Sequence, residues 1–134
     1  MLKQLSIYAE NKKGALQTMT NALYEADINI WGSVTNDGAE YGINRMVVSD
    51  PDKAKEVLTE RGYLCRFVDV LAVEIEDKPG ALNTLLTALL DSNVNVDYTY
   101  LSFNRDSSTP VMILHTADPE EVEICLKAKG FKMV

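Results

Sequence analysis

Leu71-Ala72-Val73-Glu74-Ile75-Glu76-Asp77-Lys78-Pro79-Gly80-Ala81-Leu82 repeats, 66 residues further along, the pattern of Leu5-Ser6-Ile7-Tyr8-Ala9-Glu10-Asn11-Lys12-Lys13-Gly14-Ala15-Leu16. The same offset pairs Leu23 with Leu89 and Ile28-Asn29-Ile30 with Val94-Asn95-Val96. Later the offset becomes 68, pairing Asp50-Pro51 with Asp118-Pro119, Leu58 with Leu126, and Gly62-Tyr63 with Gly130-Phe131. The shift of two falls on the polar stretch Asn104 to Pro110. A surface loop absorbs such an insertion at small entropic cost. The chain therefore reads as a tandem duplication, with halves at residues 1–68 and 69–134.

Each half predicts strand, helix, strand, strand, helix, strand. Leu71, Val73 and Ile75 alternate with Ala72, Glu74 and Glu76, the period of a half-buried strand. Leu82, Leu85, Leu86 and Leu89 follow at helical spacing, as do Leu16, Met19, Leu23 and Ala26 in the first half. Val94 to Leu101 and Val111 to Leu114 are β-rich runs. Asp50-Pro51 and Asp118-Pro119 each place an N-cap before a proline at the first helical position, and Gly62 and Gly130 close those helices. Short final strands are predicted at Tyr63 to Arg66 and Phe131 to Val134. This βαββαβ order is the split-βαβ, ferredoxin-like unit of the α+β class, with both helices on one face of a four-stranded antiparallel sheet. Phe67-Val68-Asp69-Val70, between the halves, contains no Gly, Pro or Ser and predicts a stiff connection.

Charge and composition exclude several functions. The 13 Lys and Arg against 20 Asp and Glu leave a net charge of −7, which repels phosphate backbones and speaks against nucleic acid. The charge is uneven: residues 1–68 stand at −1 and residues 69–134 at −6. His115 is the one histidine, so zinc sites built on several histidines are excluded and a Ser–His or Cys–His pair has a single candidate base. Cys65 and Cys125 form no C-x-x-C pair and read as reduced, buried or half-buried thiols. The N-terminal residues lack a secretory pattern, and no apolar run approaches the roughly 18 residues of a membrane helix, so a cytoplasmic chain without metal or cofactor is expected.

Two duplicated features carry chemistry. The first is the strand–helix junction, Asn11-Lys12-Lys13-Gly14-Ala15-Leu16 and Asp77-Lys78-Pro79-Gly80-Ala81-Leu82. A glycine there permits a sharp turn or a close approach to a ligand. The N–H groups just after it open a helix, have no intrahelical partner and can receive a carboxylate or phosphate. The plainer reading is that the glycine only makes a tight turn. The second is Asp27-Ile28-Asn29-Ile30 and Asn93-Val94-Asn95-Val96, leading into the second strand. An Asn amide there can bind a ligand's carboxylate and amine, or simply bond its own backbone.

The pattern Asp-x-Pro-Gly-x-Leu, then a Leu-rich helix, then Asn-Val-Asn-Val, resembles the ACT domain, an amino-acid-sensing module. The second half fits closely through Asp77 to Leu82, Leu89 and Val94-Asn95-Val96; in the first, Asn11 and Lys13 replace the Asp and the Pro. The resemblance covers nearly the whole chain as two tandem copies. It implies ferredoxin-like copies paired side by side through their second strands into an eight-stranded sheet. It implies a non-catalytic regulator binding a free amino acid between copies, a homodimer, and a partner enzyme of amino-acid metabolism. Carried over by position, Asn11, Lys12, Gly14, Ala15 and Leu16 with Asn95 and Val96 make one pocket. Asp77, Gly80, Ala81 and Leu82 with Asn29 and Ile30 make the other. The N–H groups of Ala15-Leu16 or Ala81-Leu82 would take the α-carboxylate, and Asn11 or Asp77 would face the α-amine. Trp31 follows the first strand start and Asp97 the second, so the pockets are inequivalent; Asp97 is a candidate to hold a cation, and Tyr98 or Tyr100 to line an aromatic pocket.

Other functions of the fold fit less well. An acylphosphatase-like enzyme wants an Arg in the first loop, where both copies carry Lys. An RNA-recognition domain wants stacking aromatics on a basic sheet, and Tyr8 stands alone on an acidic chain. The surviving alternative is a protein-interaction module that binds a partner enzyme without a small molecule.

Overall fold

The alternating run Leu5-Ser6-Ile7 becomes strand β1 (Leu2–Glu10) in the computed structural model, which describes residues 1–36 and 41–134. There follow α1 (Ala15–Glu25), β2 (Ile30–Asn36), β3 (Tyr41–Val48), α2 (Pro51–Glu60), β4 (Leu64–Glu74), α3 (Ala81–Asp91), β5 (Tyr98–Phe103), β6 (Pro110–His115) and α4 (Pro119–Ala128). Two compact units form, one of residues Lys3–Val68 and one of Asp69–Val134 with Met1–Leu2. No helix among the described residues is long and apolar enough to cross a membrane.

In the first unit the strands neighbour one another in the order β2-β3-β1-β4. Leu5 stands opposite Met46 and Ile7 opposite Asn44, so one row of the sheet presents Leu5, Ile7, Met46 and Val48 to the helices. Met19, Ala22 and Leu23 of α1 and Ala54 and Leu58 of α2 close over that row. The second unit repeats the plan in the order β5-β6-β4. Leu71, Val73, Met112 and Leu114 pack there against Leu85, Leu89, Val122 and Leu126. Each fully buried leucine contributes about 1.5–3 kcal/mol through area removed from water.

The described residues form six strands, not the eight expected. The last strand of the first unit and the first strand of the second are one strand, β4, whose 11 residues run through Phe67-Val68-Asp69-Val70 without a break. The final strand expected at Phe131 to Val134 is reduced to a single bridge between Val73 and Met133. Backbone bonds from Glu74 N to Lys132 O (2.9 Å) and from Val134 N to Ala72 O (2.9 Å) hold that tail. In the second half the β-rich run also starts later than expected, since β5 begins at Tyr98.

Helix ends explain the Asp27 and Asn93 positions. Both residues take positive φ, 58° and 57°. The chain then turns back, with Ile28 N donating to Leu23 O at 3.0 Å and Val94 N to Leu89 O at 2.9 Å. Asn and Asp tolerate this left-handed conformation better than other non-glycine residues. At α2 the expected N-cap forms, Lys53 N donating to Asp50 Oδ1 at 3.2 Å. At α4 it does not: Asp118 makes no side-chain cap bond. Glu120 and Glu121 instead put negative charge in the first turn of α4, against the positive end of the helix dipole. Both cysteines are free, Cys65 buried and Cys125 half-buried. Burial pushes the Cys65 thiol up, opposed by the nearby Lys55 charge.

The two caps make a paired test. Asp50→Ala is expected to cost about 1 kcal/mol, whereas Asp118→Ala stays within about 0.5 kcal/mol, the usual surface range. Urea denaturation of both variants checks the difference; equal losses would contradict it.

Candidate ligand-binding site

The two strand–helix loops have the same geometry. Gly14 and Gly80 sit at the N-caps of α1 and α3 with φ of 84° and 88°. A Cβ at either position would meet nothing within 4 Å, so the glycine is there for its left-handed backbone, not to make room. The turn is closed by Ala15 N donating to Lys12 O (3.1 Å) and Ala81 N to Lys78 O (3.3 Å). Thr18 and Thr84 return their hydroxyls to the carbonyls of Gly14 (2.9 Å) and Gly80 (3.0 Å). Neither helix has a side-chain cap. The N–H groups of Ala15 and Ala81 are thus spent on the turn, and those of Leu16 and Gln17, and of Leu82 and Asn83, are the ones a carboxylate can meet. Lys12 and Lys78 are paired in turn with Glu10 (3.1 Å) and Glu76 (2.7 Å), exposed contacts worth little to stability.

Beside each loop lies a cleft in the same place. In the first unit it measures about 870 Å³ and is lined by Tyr8, Gly14, Thr18, Tyr41 and Tyr63. In the second it measures about 430 Å³; Glu74, Thr84, Thr109 and Phe131 stand where Tyr8, Thr18, Tyr41 and Tyr63 stand in the first, and Lys132 stands where Leu64 does. Three tyrosines line the first cleft together with Glu10, Lys12 and Lys13, whereas the second has the single aromatic Phe131 and an ion pair. Lys132 Nζ lies 3.1 Å from Glu74 Oε2. That contact, helped by the Thr109 and Ser107 hydroxyls and opposed by desolvation, holds the Glu74 carboxyl below the usual glutamate range.

The starts of the second strands differ. Asn29 is tied through its backbone to Ser49, donating to Ser49 Oγ (2.9 Å) and accepting from Ser49 N (2.9 Å), while Ile30 opens β2. Asn95 and Val96 lie ahead of β5, and Asn95 Nδ2 donates to Asp97 Oδ1 at 3.1 Å. The other Asp97 oxygen is 2.8 Å from His115 Nδ1, and the His115 ring stacks on Tyr98 at 4.9 Å and 5°. Asp97 is therefore already engaged on both oxygens, and Tyr100 is buried. Asp97 and His115 are 18 residues apart in sequence, and the β5–β6 register, with Tyr98 opposite His115, brings them together. Among the described residues no cluster of three or more His, Cys, Asp or Glu is placed to hold a metal ion.

One further cavity is not legible from the motifs. A cavity of about 180 Å³ lies in the first unit under the start of α1, lined by Ala9, Ala15, Met19, Thr35, Gly42 and Asn44. Thr35 and Asn44 face one another across β2 and β3. The signal was present in the repeat, where Asn44 stands against Met112 in an otherwise apolar row.

Duplicated βαββαβ-like units, each turning on a left-handed glycine into an uncapped helix, agree with the sequence comparison, in which residues 1–133 match the ACT domain pair. The chain belongs to this family. No curated protein matches it at a significant level. Among solved structures, protein BT0572 from Bacteroides thetaiotaomicron is 31% identical with a TM-score of 0.91, covering 99% of this ACT domain pair and 91% of that chain. The regulatory subunits of aspartate kinase from Thermus thermophilus and Thermus flavus share the fold, with TM-scores of 0.69 and 0.61 at 16% and 18% identity. They cover 94% and 96% of this chain, and 89% and 91% of their own.

The Glu74–Lys132 contact gives a pH signature. A lowered folded pKa adds stability above the unfolded glutamate value of about 4.3, and that stability is lost as the pH falls through the folded value. The Tm gap between the wild type and Glu74→Gln should therefore narrow between about pH 5 and pH 3. A gap that stays constant across that range would remove Glu74 as a contributor.

Proposed function

We propose that this ACT domain pair is a non-catalytic regulator that binds a free amino acid at its glycine loops and signals to an enzyme of amino-acid metabolism. The observation carrying this reading is the duplicated, uncapped first turn of α1 and α3 behind Gly14 and Gly80. Such a turn offers two N–H groups and a positive dipole end to an α-carboxylate. In this reading Leu16 and Leu82 supply donors, and Asn11 and Asp77 face the α-amine. The shared fold with the aspartate kinase regulatory subunits supports a partner enzyme. Closed two-fold symmetry is the usual assembly and makes a homodimer the expected state.

A second reading, docking of a partner protein without a small ligand, is favoured by Leu82, Leu86 and Leu90. They recur every four residues on α3 and are exposed by 38%, 37% and 75%.

A thermal-shift screen of the twenty standard amino acids separates the two. A ligand that binds only the folded state adds about 2.7 kcal/mol at a hundred times its Kd, a rise of several degrees in Tm. The amino-acid reading expects such a rise with at least one of them; a flat response across the set would sink it. Gly80→Val is a poor probe of the same site, because a φ of 88° makes any side chain there strained before ligand is considered.

A further inference from the structure

We infer that two copies of this chain pack against each other through the outer flank of α3 and the helix-facing row of β5 in the second unit, and that the matching surface of the first unit makes no such contact. The inference rests on the homodimer expected above and assigns its surface; it does not depend on amino-acid binding.

Two neighbouring elements build the surface. Leu82, Leu86 and Leu90 recur every four residues along α3, and Leu90 is 75% exposed. Cys125 Sγ donates to Ser92 Oγ at 3.2 Å, so α4 lies against the flank of α3 that carries Ala88 and Ser92. At about 100° per residue, the three leucines fall on the opposite flank. α4 also returns the chain to the tail beside β4, at the bridge between Val73 and Met133, so α3 is the helix on the β5 side. On β5, Leu101 stands opposite Met112 and Phe103 opposite Pro110. Met112 belongs to the core under the helices, so Leu101 and Phe103 share the side of the sheet that α3 covers. Both are about half exposed. β5 ends the strand order, and among the described residues no strand lies beyond it.

Charge selects the occupant. The chain carries −7, and residues 69–134 carry −6. Two such copies repel unless they meet where charge is absent. α3 and β5 together hold one charged residue, Asp91, whereas α4 carries Glu120, Glu121, Glu123 and Lys127. A two-fold axis brings a surface onto itself, so a patch without charge meets a patch without charge. The leucine row is an i, i+4 ridge, and two such ridges interdigitate when their helices cross at about 50°. The patch runs roughly 16 Å along α3 and roughly 20 Å along β5, which falls short of the standard interface of about 800 Å² per partner. That size suits a reversible dimer, not an obligate one.

The repeat shows why the first unit differs. Thr20 stands where Leu86 does, and Thr35 where Leu101 does. β2 also carries a register shift between Ile30 and Gly32, an irregularity of the kind that blunts an edge strand.

The test is analytical ultracentrifugation of the full chain over a dilution series through the micromolar range. Leu90→Glu and Leu101→Lys probe the surface. Tyr24→Glu places the same charge at the first-unit equivalent of Leu90, on a side chain 80% exposed. Thermal melts at the lowest concentration check that each variant is folded; if Leu101→Lys melts early, Leu90→Glu alone decides. The wild type and Tyr24→Glu are expected to form the same reversible dimer, and the two second-unit variants to weaken it by about tenfold or more. Dimers unaffected by the second-unit variants, or equally weakened by Tyr24→Glu, overturn the inference and leave a homodimer through another surface. A wild type that stays monomeric overturns both the inference and the expected homodimer, and returns the leucine face to the partner-protein reading. Amino-acid binding, read by thermal shift, is untouched by either outcome.

Discussion

A backbone angle near +85° at the strand–helix junction is the constraint on which the loop end of each unit depends. The left-handed glycine lets β1 turn into α1 within four residues, Asn11 to Gly14, and lets β4 turn into α3 within six, Ile75 to Gly80. Because the cap residue is glycine, no side chain covers the first turn of the helix. The positive end of the dipole is left facing the loop, beside a cleft walled by the following helix–strand turn at Gly62-Tyr63 or Gly130-Phe131. The geometry that terminates the strand is thus also the geometry that leaves donors available.

From that common frame the two copies have diverged by substitution at matching positions. The first places an asparagine and a threonine in the row beneath α1, where the second has methionine and leucine. The second places Asp97 and His115 in contact, where the first has Trp31 and Val47. The cleft of the first is lined by three tyrosines, and that of the second holds a Glu–Lys pair. The difference in net charge, −1 against −6, follows the same division. Each change alters what a ligand would meet without touching the apolar contacts that hold the unit together, since Leu23, Leu58, Leu89 and Leu126 stay fully buried.

Much of the fold was legible in the sequence because its elements are locally determined. The helical stripe of Leu82, Leu85, Leu86 and Leu89, the Asp-Pro helix starts and the repeat itself need no knowledge of the partner elements. What was not legible depends on distant pairing. Tyr63 to Arg66 and Leu71 to Glu74 read as two strands joined by a connector, because nothing local says that the residues between them also find a partner. Phe131 to Val134 reads as a strand by composition yet forms one bridge, because a strand is made by its neighbours. The loops were legible through Gly14 and Gly80. Asn44 was not, since beside Arg45 nothing local says that it faces a cavity, and only its pairing with Met112 in the repeat sets it apart. Asp97 and His115, 18 residues apart, meet only through the hairpin register, which depends on the length of the Asn104 to Pro110 loop.

The unbroken β4 strand makes the duplication irreversible in a practical sense. Many tandem proteins are joined by a tether that a protease or a recombination event can cut, releasing two working halves. Here the boundary at Val68–Asp69 lies in the middle of a strand. A break there would leave each half with a stub of β4 and raw backbone donors and acceptors along its neighbour, the kind of edge that promotes aggregation. The two copies are therefore inherited together.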